Sequence, residues 1–284
     1  MNKFDKNRRR VKYCPCGKSN KNGKFAPYAG YEEYGYCHSC CKLFNPTQND
    51  NVSMYVPQKQ KPVSYIDDSV FKQSLSNRTD NKFYQFIVSK FGKGRAETVF
   101  DAYHLGTAAR WKGATVFWQV DQGSRVRTGK VMLYDPNTGK RIKHCNDWAH
   151  SIMLKNHDLD DFNLFQCLFG IHLVNKANIG TPIGIVESEK TACIMSLHSP
   201  EFIWLACGGL SALSYEKLKP LKGRKIVLFP DLGLVGDCSP YILWRAKAKG
   251  FNALGLNVGV SDLLESTATK KIRREKWDVA DYFV

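Results

Sequence analysis

No run of about eighteen apolar residues occurs anywhere in the 284-residue sequence, so no membrane-spanning helix is expected. The opening stretch, Met1-Asn2-Lys3-Phe4-Asp5-Lys6-Asn7-Arg8-Arg9-Arg10, has no apolar h-region of the kind a secretory signal needs. A cytoplasmic protein with no membrane partner is therefore expected. No G-x-G-x-x-G follows a strand, which excludes the usual dinucleotide fingerprint. Acid is scarce: 26 Asp and Glu stand against 42 Lys and Arg, a formal charge of +16. Apolar residues are not scarce. At 43% hydrophobic content the chain can bury a sizeable core, and it is no disordered tail. Its ten cysteines, in a reducing compartment, argue against a disulfide framework and leave metal binding as an alternative use.

The positive excess is uneven. Residues 1–62 hold 12 Lys and Arg against 4 acids, residues 104–150 hold 8 against 3, and residues 181–284 hold 14 against 11. A polyanion such as single-stranded DNA or other nucleic acid is the partner this predicts, because neutralised phosphates release counterions. The competing reading is a basic surface that serves solubility alone.

Four regions follow from composition and periodicity. Residues 1–46 pair a basic arm with two cysteine groups that bracket a Gly- and Tyr-rich stretch. The C-x-x-C of Cys37 and Cys40 lets two thiolates reach one tetrahedral Zn²⁺, and Cys14-Pro15-Cys16 is followed by Gly17, which supplies a knuckle turn. A zinc ribbon with Cys14, Cys16, Cys37 and Cys40 as ligands is expected, with His38 and Cys41 as alternatives. Residues 47–80, polar and punctuated by proline, read as a linker. Residues 81–178 form an α+β subdomain in which Phe83, Phe86, Ile87 and Phe91 mark a helix. Strands are expected at Thr115–Val120, Arg125–Tyr134 and Lys140–Lys143. There Arg125, Arg127, Lys130, Arg141 and Lys143, with Trp118 and Tyr134, make a candidate platform for single-stranded nucleic acid; a solvated basic hairpin is the plainer alternative.

Residues 179–284 alternate strand and helix, which predicts a parallel sheet with helices on both faces. Two apolar runs there stop at an acid: Ile183-Gly184-Ile185-Val186-Glu187 and Lys225-Ile226-Val227-Leu228-Phe229-Pro230-Asp231. Strands of one parallel sheet would bring both acids to its carboxyl edge, where open α/β sheets place ligands. One such acid is adequately explained as a helix cap. Two close carboxylates repel unless a cation lies between them, which calls for Mg²⁺ or Mn²⁺.

Three segments carry a family resemblance. Ile185-Val186-Glu187-Ser188-Glu189-Lys190-Thr191-Ala192, Cys207-Gly208-Gly209 and Val227-Leu228-Phe229-Pro230-Asp231-Leu232-Gly233 resemble the successive motifs of the Toprim domain, shared by bacterial primases, topoisomerases and some nucleases. The order of ribbon, basic strands and Toprim-like (Rossmann-like) sheet is similar to the bacterial replicative primase, especially the shortened primase-like proteins of phages and mobile elements. The resemblance implies template-directed primer synthesis from nucleotide triphosphates. It also implies Glu187 as general base or acid beside the metal and Asp231 as a Mg²⁺ ligand; Lys190 is placed to neutralise phosphate. A replicative helicase is the implied protein partner. Gly233 stands where the motif has a second acid, and Ser188 where glycine is common. Asp237, Asp278 and Asp281 are candidates to restore the metal ligands. The alternatives are a non-catalytic nucleic-acid-binding protein with a degenerate Toprim fold and a Toprim nuclease.

Overall fold

In the computed structural model of the protein, residues 4–40, 42–45, 61–233 and 239–284 are described. They fall into two compact units, one within residues 1–60 and one from residue 61 onward.

The first unit holds β1 (Phe25–Pro27), β2 (Gly35–Cys37) and β3 (Lys42–Phe44) as an antiparallel meander. Gly35 sits where β2 crosses β1. Its φ is +151°, and a Cβ there would run into the Ala26 carbonyl and lie 2.6 Å from Pro27 Cα, so the close approach requires glycine. The buried groups are few, Val11 and Phe25 beside Cys14 and Cys37. Such a core is too small to hold a fold by burial alone. Buried Asn20 adds a polar tie: its Nδ2 donates to the carbonyls of Arg8 (2.6 Å) and Val11 (3.0 Å), and its Oδ1 accepts from the Phe25 N–H (2.7 Å).

The second unit is a mixed α/β structure. It opens with α1 (Asp68–Ser74), α2 (Lys82–Phe91) and α3 (Lys93–Ala102), followed by β4 (Leu105–Ala108), β5 (Ala114–Val120), β6 (Val126–Tyr134), β7 (Arg141–Trp148) and α4 (Ala149–Lys155). The strands form an antiparallel sheet in sequence order. Every residue of β5 is buried. Phe117 faces Phe83, Phe86 and Phe100 of the helical pair, whereas Val116, Trp118 and Val120 face Ile66, Val131 and Ala149, so both faces of this strand are covered. Asn81 fixes the helix on the sheet. Its Oδ1 accepts from the N–H groups of Phe83 and Tyr84 and from Thr115 Oγ1, while Nδ2 donates to the Gly106 carbonyl. Helix α1 lies within the stretch expected as linker, and β7 continues five residues past the expected Lys143 to Trp148.

The chain then builds β8 (Ile183–Val186), α5 (Glu189–His198), β9 (Ile203–Ala206), α6 (Tyr215–Leu218), β10 (Lys225–Leu228), α7 (Pro240–Ala253) and β11 (Asn257–Val260). Two short helices close it, α8 (Leu263–Thr267) and α9 (Lys270–Glu275). The four strands are parallel in the order β11-β10-β8-β9. Val186 and Trp204 turn toward α5, while Ile183, Ile185, Leu205, Ile226 and Leu228 turn toward Leu218 and the Trp244 and Phe251 side of α7. Helices thus cover both faces, as the alternating pattern predicts. Helix α7 runs through Gly250 to Ala253, and β11 begins at Asn257. The two sheets of this unit share one core, with Tyr103, Phe117 and Phe169 in the same cluster as Val186, Ala192 and Trp204. Phe169 and Ala206 exchange backbone hydrogen bonds (2.9 and 3.1 Å), and Tyr103 Oη donates to the Trp204 carbonyl (2.8 Å). Among the described residues, no helix is long and apolar enough to cross a membrane.

Candidate active site and metal centre

In the first unit, the sulfur atoms of Cys14, Cys16, Cys37 and Cys40 all lie within 4.8 Å of one another. Tetrahedral coordination with Zn–S of about 2.3 Å places sulfurs about 3.8 Å apart, so the four thiols fit one Zn²⁺. The local fold is a knuckle: Cys14 N–H donates to the Lys18 carbonyl, Gly17 N–H to the Cys14 carbonyl (both 2.8 Å), and Cys16 N–H to Cys14 Sγ (3.4 Å). The Cys14 thiol, hydrogen-bonded to Cys16, favours the Cys16 thiolate and brings that group down to about 7, whereas burial pushes Cys14 up. The Cys16 thiolate is the ligand form Zn²⁺ takes, and a metal would displace the proton that burial holds on Cys14. His38 is exposed, with its ring against Tyr36; Cys41 lies outside the described residues.

In the second unit, β8 and β10 are hydrogen-bonded neighbours, so Glu187 and Asp231 emerge side by side at the carboxyl edge of the sheet. The Asp231 N–H donates to Glu187 Oε1 at 3.3 Å. Asp231 Oδ1 is buried and has no hydrogen-bond partner. The Leu232 N–H donates to the Trp277 carbonyl (2.8 Å), drawing the C-terminal segment alongside. That contact brings in Asp278 and Asp281. Asp278 accepts from Thr191 Oγ1 (2.6 Å) and the Ala280 N–H (2.8 Å), and Asp281 accepts from the Asp278 N–H (2.8 Å).

The electrostatics follow. Burial, and then the charge of Asp278, push Glu187 up to about 7 against the Asp231 N–H and Lys247, which oppose the rise. Burial and the charges of Glu187, Asp278 and Asp281 hold Asp231 well above the usual carboxylate range, with Lys190 opposing. Asp281 is raised by burial and by Asp278. Among the described residues no three carboxylates close up as tightly as the four thiols do. Mg²⁺ needs only one or two protein carboxylates, its other positions being filled by water and substrate phosphate. Glu187 with the unpartnered oxygen of Asp231 meets that need.

The expected second acid is absent for a steric reason. A Cβ on Gly233 would lie 2.5 Å from Pro240 Cδ, where α7 begins. Asp237 lies outside the described residues.

A cleft of about 310 Å³ opens over the acids, and Lys130, Arg141 and Lys190 share its lining. The strand residues divide. Lys130 Nζ binds Glu189 Oε2 at 2.9 Å, and Arg127 is held by Asp121 (2.8 Å). Arg125 and Arg127 project side by side over the Tyr65 ring, 4.4 and 4.8 Å from its centre. Burial raises Asp121, but the Arg125 N–H and both guanidinium charges outweigh it and keep this carboxyl low. Arg141 and Lys143 are exposed on β7. Trp118 and Tyr134 correct the sequence reading: they are 2% and 4% exposed and fill the two cores that flank the sheet, Tyr134 also reaching the wall of the cleft, so they make no open stacking platform.

Sequence reasoning missed three groups. Glu189 reads as an acid in the first turn of α5, the ordinary dipole partner, yet it is 1% exposed and lines the cleft. Lys217 and Lys247 turn inward, donating to the carbonyls of Cys207 (3.1 Å) and Leu213 (2.7 Å), and burial lowers both ammonium groups.

The family described as "Domain of unknown function (DUF6371)" matches residues 81–232, from the start of α2 to the residue after Asp231. The chain belongs to that family. The DUF6371 match takes in the antiparallel sheet of the second unit and β8 to β10 of the parallel one, and ends before β11 and Asp278. No curated protein matches the sequence. Among solved structures, the chain is similar to the primase fragment of the bacteriophage T7 primase-helicase protein, at 18% identity over 88% of each chain with a TM-score of 0.39. It is also similar to the E. coli primase catalytic core, at 10% identity over 74% of this chain and 77% of that one, TM-score 0.49. A third likeness is to the RNA polymerase domain of Mycobacterium tuberculosis primase DnaG, solved with double-stranded DNA, at 13% identity over 73% and 76%, TM-score 0.41.

Proposed function

We propose that this protein is a divalent-metal-dependent nucleotidyltransferase of the primase type, extending a ribonucleotide primer on a single-stranded DNA template. One observation carries the reading: Glu187 and Asp231 meet at adjacent strand ends, with Asp231 Oδ1 buried and unpartnered, under a cleft lined by three cations. The Toprim-like motifs of the sequence support it, as do the four thiols of the first unit, read as a zinc ribbon that takes part in template binding.

Mg²⁺ or Mn²⁺, when bound, supplies positive charge to the triphosphate. Glu187 and Asp231 are the residues that would hold it. Burial pushes Glu187 up to about 7, and its carboxylate is the group beside the metal that would accept a proton. Lys190 and Arg141 offset phosphate charge in the same cleft. The 3′-oxygen of the primer bonds to the α-phosphorus, the bond to pyrophosphate breaks, and the hydroxyl proton passes to Glu187.

The test is incubation with single-stranded DNA, labelled ribonucleotides and Mg²⁺. Template-dependent oligomers that disappear in Glu187→Gln support the reading, and shortened template would indicate a nuclease instead. A second reading, a non-catalytic nucleic-acid-binding protein, is favoured by the absence of room for an acid at Gly233. Binding without any product would establish that one.

A further inference from the structure

Glu189 is the most deeply buried carboxylate among the described residues, at 1% exposure. Its Oε2 accepts from Lys130 Nζ at 2.9 Å, and the same ammonium donates to the Gly208 carbonyl at 3.4 Å. Its other oxygen, Oε1, is buried and has no partner. A buried acceptor without a donor costs about 1–3 kcal/mol. Glu189 nevertheless forms part of the wall of the cleft, beside Gly208 and Gly209. A Cβ on Gly208 would come within 3.6 Å of Oε1, and the φ values of the two glycines, +93° and +141°, suit no other residue. The turn therefore keeps the approach to this oxygen free of side chains.

The chemistry of the missing donor can be narrowed. Lys130 already balances the Glu189 charge, so a second cation is not called for; a neutral O–H donor is. A nucleotide whose phosphates face Lys190 and Arg141 brings such donors in its sugar. Resting on the nucleotidyl-transfer reading above, we infer that Glu189 Oε1 accepts a hydrogen bond from a ribose hydroxyl of the bound nucleotide and thereby selects ribonucleotides over deoxyribonucleotides. Lys130 is a positioning residue: by engaging Oε2 it leaves Oε1 for the ligand.

The test is competition of ATP, 2′-deoxy-ATP and 3′-deoxy-ATP against a fluorescent ATP analogue on the full chain, with Mg²⁺ and an oligo(dT) template. ATP should outbind 2′-deoxy-ATP by about tenfold or more, the worth of a hydrogen bond to a charged group, and a preference against 3′-deoxy-ATP alone overturns the inference. Glu189→Ala should bring the three affinities together while binding persists. That variant strands Lys130 in the interior, so Lys130→Met combined with Glu189→Leu, which removes the pair together, serves as a second. Equal affinities of the three nucleotides for the unaltered protein overturn the inference and leave the transferase reading standing. A preference that follows the base amino group, seen as ATP against inosine triphosphate with no effect of the sugar, also overturns it. No binding of any nucleotide overturns both.

Discussion

Glu187 is strained electrostatically rather than sterically, and its response to pH shows the sign. The folded chain raises this carboxyl from the usual 4.5 to about 7. A raised carboxyl stabilises the fold fully below its unfolded value, and that contribution is lost as pH rises through about 7. Between pH 5 and 8, then, metal-free protein should lose more stability on alkalinisation than Glu187→Gln does, as read by thermal melts in chelator. Equal slopes would show that Glu187 is not the responsible group. Mg²⁺ should raise the melting temperature more at pH 8 than at pH 5, because it binds the ionised pair. In the primer assay the same Gln variant should fall by about a hundredfold or more.

At the scale of elements, two positions hold more than their sequence context suggests. Asn81→Ala removes the α2 cap together with bonds to Gly106 and Thr115, and should cost about 2 kcal/mol or more in urea unfolding. Gly233→Asp, which would restore the acid of the Toprim pattern, should instead destabilise by about 1–3 kcal/mol through collision with Pro240; a gain in both stability and activity would refute the packing account. The strand ends at Glu187 and Asp231 were legible because an unbroken apolar run that stops at a charge marks a buried strand leaving a sheet. Helix α7 was not fully legible. Gly250 reads as a stop, but it meets open space, and Phe251 one residue on is buried against the sheet, so packing carries the helix to Ala253. The role of Glu189 was hidden for another reason: the partner that buries it, Lys130, lies 59 residues away on the other sheet. Trp118 and Tyr134 misled because aromatics on a basic strand look the same in sequence whether they face solvent or core.

At the scale of the molecule, the first unit, with a core too small to hold by burial alone, is expected to need a metal, whereas the second is held by burial. Protein purified without chelator should carry about one zinc per chain. Stripping it should abolish tertiary structure in residues 4–45 and leave the far larger apolar clusters of the second unit folded, which amide hydrogen exchange would resolve by segment. Affinity for single-stranded DNA should fall linearly in log–log form with salt, at about 0.7 per phosphate neutralised; a flat dependence would remove the case for a phosphate-tracking surface. The core shared across the two sheets has a further consequence, for how this chain can be divided. Cutting between residues 178 and 179 would strip Phe169 from Ala206, Tyr103 from Trp204 and Lys130 from Glu189. Residues 179–284 alone should therefore aggregate, whereas 61–284 should express as a soluble fragment. The acidic edge is not a transplantable module, and any exchange between relatives that keeps it intact must carry the basic sheet along as well.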